Sequence, residues 1–143
     1  MKRTTIAIIL GMILSFSSYA QDNDATSIVM RGLEAYSKGG ATAAVKSWIK
    51  DSGLEGSKEA LSQANVLRQV EDFYGGYEGY EIIKDHKISD RVHMIIFAMN
   101  FNKGPMFGRF QSYRTKSGVW VATEFKFHTE AALVLPSNTV FGE

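Results

Sequence analysis

Few side chains in this chain can do chemistry, and their spacing limits what that chemistry could be. Gln63 and Glu71 fall within or at the edge of the apolar arc of one helical segment, where polar groups point inward rather than to solvent. A carboxylate held there is desolvated, which raises its pKa and suits it to act as a general base. The alternative is a structural pair with a basic partner such as Arg109. His86, His93 and His128 are the only histidines. None stands two or four residues from another, so no two rings aim at one metal from a single strand or helix, and no metal site is expected. His128 shares a strand face with Glu124, an arrangement open to acid–base work, with surface exposure at a strand end as the alternative.

Arg109, Glu124 and Lys126 fall on adjacent strand faces, as a cross-strand charge ladder or as an anion-recognising group at a pocket mouth. Tyr36, Trp48, Tyr74, Phe97, Tyr113 and Trp120 can line a ligand cavity or simply fill the core. The run Gly75-Gly76-Tyr77-Glu78-Gly79-Tyr80 follows a helix and opens a strand, the reverse of the order a phosphate loop needs. No Gly-x-Ser-x-Gly nucleophile motif is present. No cofactor is expected. The expected ligand-binding set is Tyr36, Trp48, Gln63, Glu71, Tyr74, Arg109 and Tyr113.

The elements that must position these residues are legible as two periodicities. Ile28, Val29, Leu33 and Tyr36 fall at helical spacing between Asp24, a cap, and Gly39-Gly40, a stop. Ala41, Ala44, Val45, Trp48 and Ile49 form the cleanest helical stripe. After the Gly- and Ser-rich stretch 51–57, Ser57 caps a third helix from Lys58 to Tyr74, with Ala60, Ala64, Leu67, Val70 and Tyr74 on one arc. From Tyr77 the period becomes two, and strands are expected over Tyr77–Ile88, Arg91–Asn102, Met106–Thr115 and Val119–Thr129, joined by short turns as an antiparallel meander. The second of these is apolar on both faces, so it belongs in the middle of the sheet, covered on both sides. The fold class is α+β, with three N-terminal helices packed on a curved four-stranded antiparallel sheet. Helices cover one face; a homodimer built sheet against sheet, or the chain's own tail folded across it, covers the other.

Lys2 and Arg3, an apolar run from Ile6 to Phe16, and Ser17-Ser18-Tyr19-Ala20 have the order of a cleavable secretory signal. The run falls short of the about 20 apolar residues that span a bilayer. Cleavage between Ala20 and Gln21 leaves 14 basic against 15 acidic residues, a mature charge of −1 that makes no electrostatic case for nucleic acid or an anionic membrane. The chain has no cysteine, hence no disulfide, no thiolate chemistry and no lipid-modified cysteine to anchor it. The mature protein is expected in the periplasm or beyond, as a single domain over 21–135 with a tail over 136–143.

Helices followed by a long antiparallel meander ending in Ser117-Gly118-Val119-Trp120-Val121-Ala122 and Phe125-Lys126-Phe127 resemble the nuclear transport factor two-like cone fold. That group includes ketosteroid isomerase, scytalone dehydratase and polyketide cyclase (SnoaL-like) families. The resemblance implies a pocket between helices and sheet, lined by apolar and aromatic residues, often in a dimer. Its members include enzymes, ligand carriers and interaction modules. Expected, then, is an exported domain binding a small, largely apolar ligand without catalysis. The alternatives are an isomerase- or dehydratase-like enzyme, in which a carboxylate or a His–carboxylate pair acts with a Tyr donor, and an envelope protein-interaction module.

The export expectation has a direct check: N-terminal sequencing of the secreted protein should begin at Gln21. Intact protein recovered from the cytoplasm with Met1 in place overturns it.

Overall fold

The computed structural model describes residues 24–142; the signal segment and its cleavage point at Ala20 and Gln21 lie outside the described residues. Helix α1 (Ser27–Ile49) and helix α2 (Lys58–Tyr74) precede strands β1 (Tyr77–Ser89), β2 (Val92–Phe101), β3 (Gly104–Arg114) and β4 (Trp120–His128). A 3-10 turn (Ala131–Leu133) and the short helix α3 (Ser137–Phe141) follow. The strands form one antiparallel sheet in sequence order, β1-β2-β3-β4. No helix among the described residues is long and apolar enough to cross a membrane.

The first two expected helices meet at Gly40 and run on as the two halves of the kinked α1. Gly40 takes φ 70° and ψ −166°, a conformation open to glycine, and bends α1 without ending it. The helical geometry is broken at Gly40, as expected, and the helical stripe resumes at once with Ala41, Ala44, Val45, Trp48 and Ile49, all buried. The helix ends are otherwise satisfied by the residues expected to do it. The Asp24 carboxylate accepts the Ser27 N–H at 2.8 Å, and Ser57 Oγ accepts the Ala60 N–H at 3.2 Å. Gly75, at φ 87°, closes α2 by donating its N–H to the Glu71 carbonyl at 2.8 Å.

The main core lies between the helices and one sheet face, and Trp48 is at its centre with no solvent exposure. Its ring meets Phe127 at 5.3 Å, Phe110 at 5.9 Å, Phe125 at 6.2 Å and Phe97 at 6.4 Å between centroids. Its indole N–H donates to the Val29 carbonyl at 3.1 Å, which satisfies the one polar atom the ring carries into the core. Ser112, the buried polar residue of the core, donates its hydroxyl to the Ala25 carbonyl at 3.0 Å and ties the start of α1 to β3.

The strict alternation expected along the last strand breaks at Thr123. A bulge there places Gln111 opposite Glu124 but Ser112 opposite Ala122, so Trp120 and Ala122 share the core side with Phe125 and Phe127. One extra residue in one strand reverses the parity of everything before it.

The doubly apolar strand is β2, buried continuously from Ile95 to Met99. Its outer side is covered in part from within the chain: Val134 and Leu135 pack on Ile96, with Phe107, Ala131 and Val140 against them. The C-terminal segment is therefore a small second core and not a loose appendage.

Gly32 tests the central packing. A Cβ placed on it would lie 1.9 Å from Trp48 Nε1. Gly32→Ala should gain up to about 1 kcal/mol of helix propensity yet lose more, since overpacking costs about 1–3 kcal/mol. A lowered urea midpoint is expected; a raised one would place the indole ring elsewhere.

Candidate functional site

Three elements meet at the C-terminal end of α2. Tyr36 lies one turn before the Gly40 kink of α1, Glu71 stands in the last turn of α2, and Tyr77 opens β1 just after Gly75-Gly76. Hydrogen bonds tie the turn down from the β2–β3 side. Asn102 Oδ1 accepts the Gly76 N–H at 2.7 Å while its amide donates to Glu78 Oε1 at 2.7 Å. The Lys103 N–H bonds the Tyr74 carbonyl at 2.9 Å. Gly75 is required here twice over, because of its positive φ and because a Cβ on it would stand 2.7 Å from Asn102 Oδ1.

The Tyr36 hydroxyl donates to Glu71 Oε2 at 2.5 Å, a short charge-assisted hydrogen bond across 35 residues of chain. The Tyr36 ring is buried and meets the Tyr77 ring at 4.7 Å, with Phe101 behind both at 6.3 and 5.8 Å. The resulting open cleft of about 420 Å³ is lined by Tyr36, Glu71 and Tyr77 with Ser37, Lys38, Gly40 and Gly76. Burial, then the Glu71 carboxylate, drives the Tyr36 phenol well above its ordinary pKa. Burial pushes Tyr77 up to about 12. Both phenols keep their protons at any physiological pH, so they serve as hydrogen-bonding and aromatic surfaces and not as bases or nucleophiles.

Of the seven expected ligand-binding residues the fold brings two together, Tyr36 and Glu71. Trp48 is in the core. Gln63 is half-buried in a separate cleft of about 210 Å³ between α2 and β4, with Leu54, Ser57 and Phe125 among its neighbours. The Tyr74 ring lies against Gly104, where a Cβ would come within 2.7 Å of it, and meets Phe73 at 5.0 Å. Arg109 pairs with Glu124 at 3.2 Å, and Lys126 approaches the same carboxylate at 3.7 Å, so these three form a cross-strand charge ladder. Arg109 is thus not the partner of Glu71. Tyr113 carries the Arg91 guanidinium 4.8 Å above its ring and accepts a hydrogen bond from it.

Tyr77 was not in the expected set, though its place directly after a Gly-Gly helix stop is a signal that it faces the end of that helix. A second pairing also escapes the sequence. His93 Nδ1 lies 2.7 Å from Asp85 Oδ1 across the β1–β2 hairpin, with the Trp120 ring 5.1 Å from the imidazole. His128, by contrast, accepts the Glu130 N–H at 2.9 Å through Nδ1 and is not hydrogen-bonded to Glu124 among the described residues. No group of three His, Cys, Asp or Glu side chains able to hold a metal occurs among the described residues.

The raised Tyr77 pKa has a pH consequence. In the unfolded chain a tyrosine loses its proton near 10, whereas folded Tyr77 holds its proton to about 12. Its contribution is therefore complete below about pH 10 and lost as pH rises toward about 12. Urea midpoints should fall between pH 9 and 11.5, less steeply in Tyr77→Phe; equal slopes would mean Tyr77 is solvated in the folded protein. Comparison with protein-family models, with curated proteins and with solved structures finds no match to this chain.

Proposed function

We propose that the mature chain is an exported, cone-like domain of the nuclear transport factor two-like kind that binds a small, largely apolar ligand without transforming it, and that the ligand sits in the Tyr36–Glu71–Tyr77 cleft. The observation that carries this reading is the convergence of two tyrosine rings and one half-buried carboxylate from three elements on a single opening. Its volume of about 420 Å³ falls in the usual range for small-molecule sites, about 300–1,000 Å³. The interior around Trp48 is less suited to a ligand, because that ring and four phenylalanines occupy it.

Binding is favoured over catalysis at this cleft because the Tyr36 hydroxyl and the Glu71 carboxylate are already committed to one another, which leaves that phenol unavailable as a donor to a substrate. A second reading, a dehydratase-like enzyme, draws support from the His93–Asp85 pair, in which the carboxylate orients the imidazole through Nδ1 and leaves Nε2 to exchange a proton. The homodimer expectation rested on an uncovered second sheet face. Val134 and Leu135 occupy part of that face, which leaves a smaller area for a second copy to cover.

Native mass spectrometry of protein purified from the periplasm should show the mature chain carrying the extra mass of a small molecule, reduced or lost in Tyr77→Ala. Protein that is bare from every growth condition, or that keeps its cargo undiminished in Tyr77→Ala, overturns the assignment to this cleft.

A further inference from the structure

Helix α2 divides its charges between two openings. The cleft on its β4 side is lined by Glu59 and Glu124 and by no Lys or Arg. The groove on its α1 side, about 420 Å³, is lined by Lys58 and Arg68 and by no Asp or Glu. Val45 and Ala64, both buried, give this groove an apolar floor, and Leu61 stands exposed beside them. Arg68 donates to Thr42 Oγ1 at 2.7 Å and to Asn65 Oδ1. Both acceptors are neutral, so the guanidinium is fixed across the two helices with its charge uncancelled. Neither Lys58 nor Arg68 makes an ion pair among the described residues. The acids nearest along α2 do not enter the groove. Glu59 faces the other cleft and accepts the Ser57 hydroxyl at 2.9 Å, and Asp72, one turn beyond Arg68, is outside the lining. Lys46, exposed one turn after Thr42 on the same ridge of α1, extends the positive sign along that edge.

We propose that this groove docks an acidic peptide segment of a partner protein. The segment lies extended along α2, with one carboxylate at Lys58, one at Arg68 and an apolar side chain on Leu61 between them. A held guanidinium binds a carboxylate through charge-assisted hydrogen bonds. The spacing of the cations selects a chain over a small anion. Ten residues of helix at about 1.5 Å each set Lys58 and Arg68 about 15 Å apart along the axis. Two carboxylates four residues apart on an extended strand, at about 3.3 Å per residue, stand about 13 Å apart and reach both. Single-stranded nucleic acid would bring its phosphates but find no ring to stack on, because no aromatic residue lines the groove. A flat bilayer surface would leave the concave floor at Val45 and Ala64 uncovered. The groove shares no lining residue with the Tyr36–Glu71–Tyr77 cleft, so this inference stands apart from the ligand proposed there.

Three peptides separate the parts of this proposal: acetyl-Glu-Ser-Leu-Ser-Glu-amide, its counterpart with Gln for both Glu, and acetyl-Glu-Glu-Leu-Ser-Ser-amide, which has the same charge but adjacent acids. Each is titrated into labelled mature protein while the backbone amides of Leu61, Asn65 and Arg68 are followed by NMR. The first should shift these amides at about fivefold lower concentration than the Gln peptide, the size expected of exposed ion pairs, and at lower concentration than the third. That preference should shrink as salt is raised from about 0.02 to about 0.3 M. It should also shrink in Lys58→Gln, an exposed change at the first turn of α2, where a cation opposes the helix dipole and its loss leaves the fold intact. Equal binding of the Gln peptide overturns the selection by charge, and equal binding of the third overturns the extended pose. Oligothymidylate or phosphatidylglycerol vesicles acting on the same amides at lower concentration than the first peptide would overturn the assignment to a protein partner. If no peptide moves them, the groove is not a docking site.

Discussion

One indole ring sets the geometry of this molecule. Trp48 can occupy the centre of the core because two glycines clear the space around its aromatic cluster. Gly32 in α1 lies against the indole itself, and Gly108 in β3 lies against Phe97, where a Cβ would come within 2.3 Å of the ring. With the ring so placed, the second half of α1 is held over β4, and its N–H binds the Val29 carbonyl of the first half. The two halves of the kinked helix are thus clamped together from inside, across the Gly40 bend. Truncating a buried tryptophan to alanine costs on the order of 3–5 kcal/mol, a large share of the stability of a single domain of this size.

The cleft inherits its shape from that clamp. Tyr36 reaches Glu71 because the first half of α1 ends where it does. The kink, the Gly75 cap and the Asn102 bridge then bring the start of β1 to the same place. Each device is a backbone solution at a glycine or a side-chain amide. Together they determine where the carboxylate and the two rings stand.

Much of the fold could be read from the sequence because it rests on local periodicity. Period-two alternation located four strands and their order, and the all-apolar run 94–99 identified the strand that needs cover on both sides. Gly39-Gly40 and Gly75-Gly76 each interrupt a helix at a glycine of positive φ, and the pattern that follows, an apolar helical stripe or a strand, tells the two apart. The bulge at Thr123 is invisible, since it depends on which partner strand is being matched. The site was legible only in fragments. Glu71 stood out as a carboxylate near an apolar arc, and Tyr36 as an aromatic on another, but nothing local records that residues 35 positions apart are hydrogen-bonded. His93 and Asp85 pair across a hairpin whose register is irregular, so their meeting follows from the bulges in β1 and not from their spacing.

The hydrogen bond from Ser112 to the Ala25 carbonyl spans 87 positions and is buried. Closing so long a loop has an entropic cost that must be met before the contact contributes anything. The first turn of α1 can dock only after β3 exists, and once docked it cannot fray without leaving a desolvated hydroxyl unpaired. A helix that is local in sequence is thereby tied to a sheet built from non-local strand contacts, the class of contact whose closure slows folding.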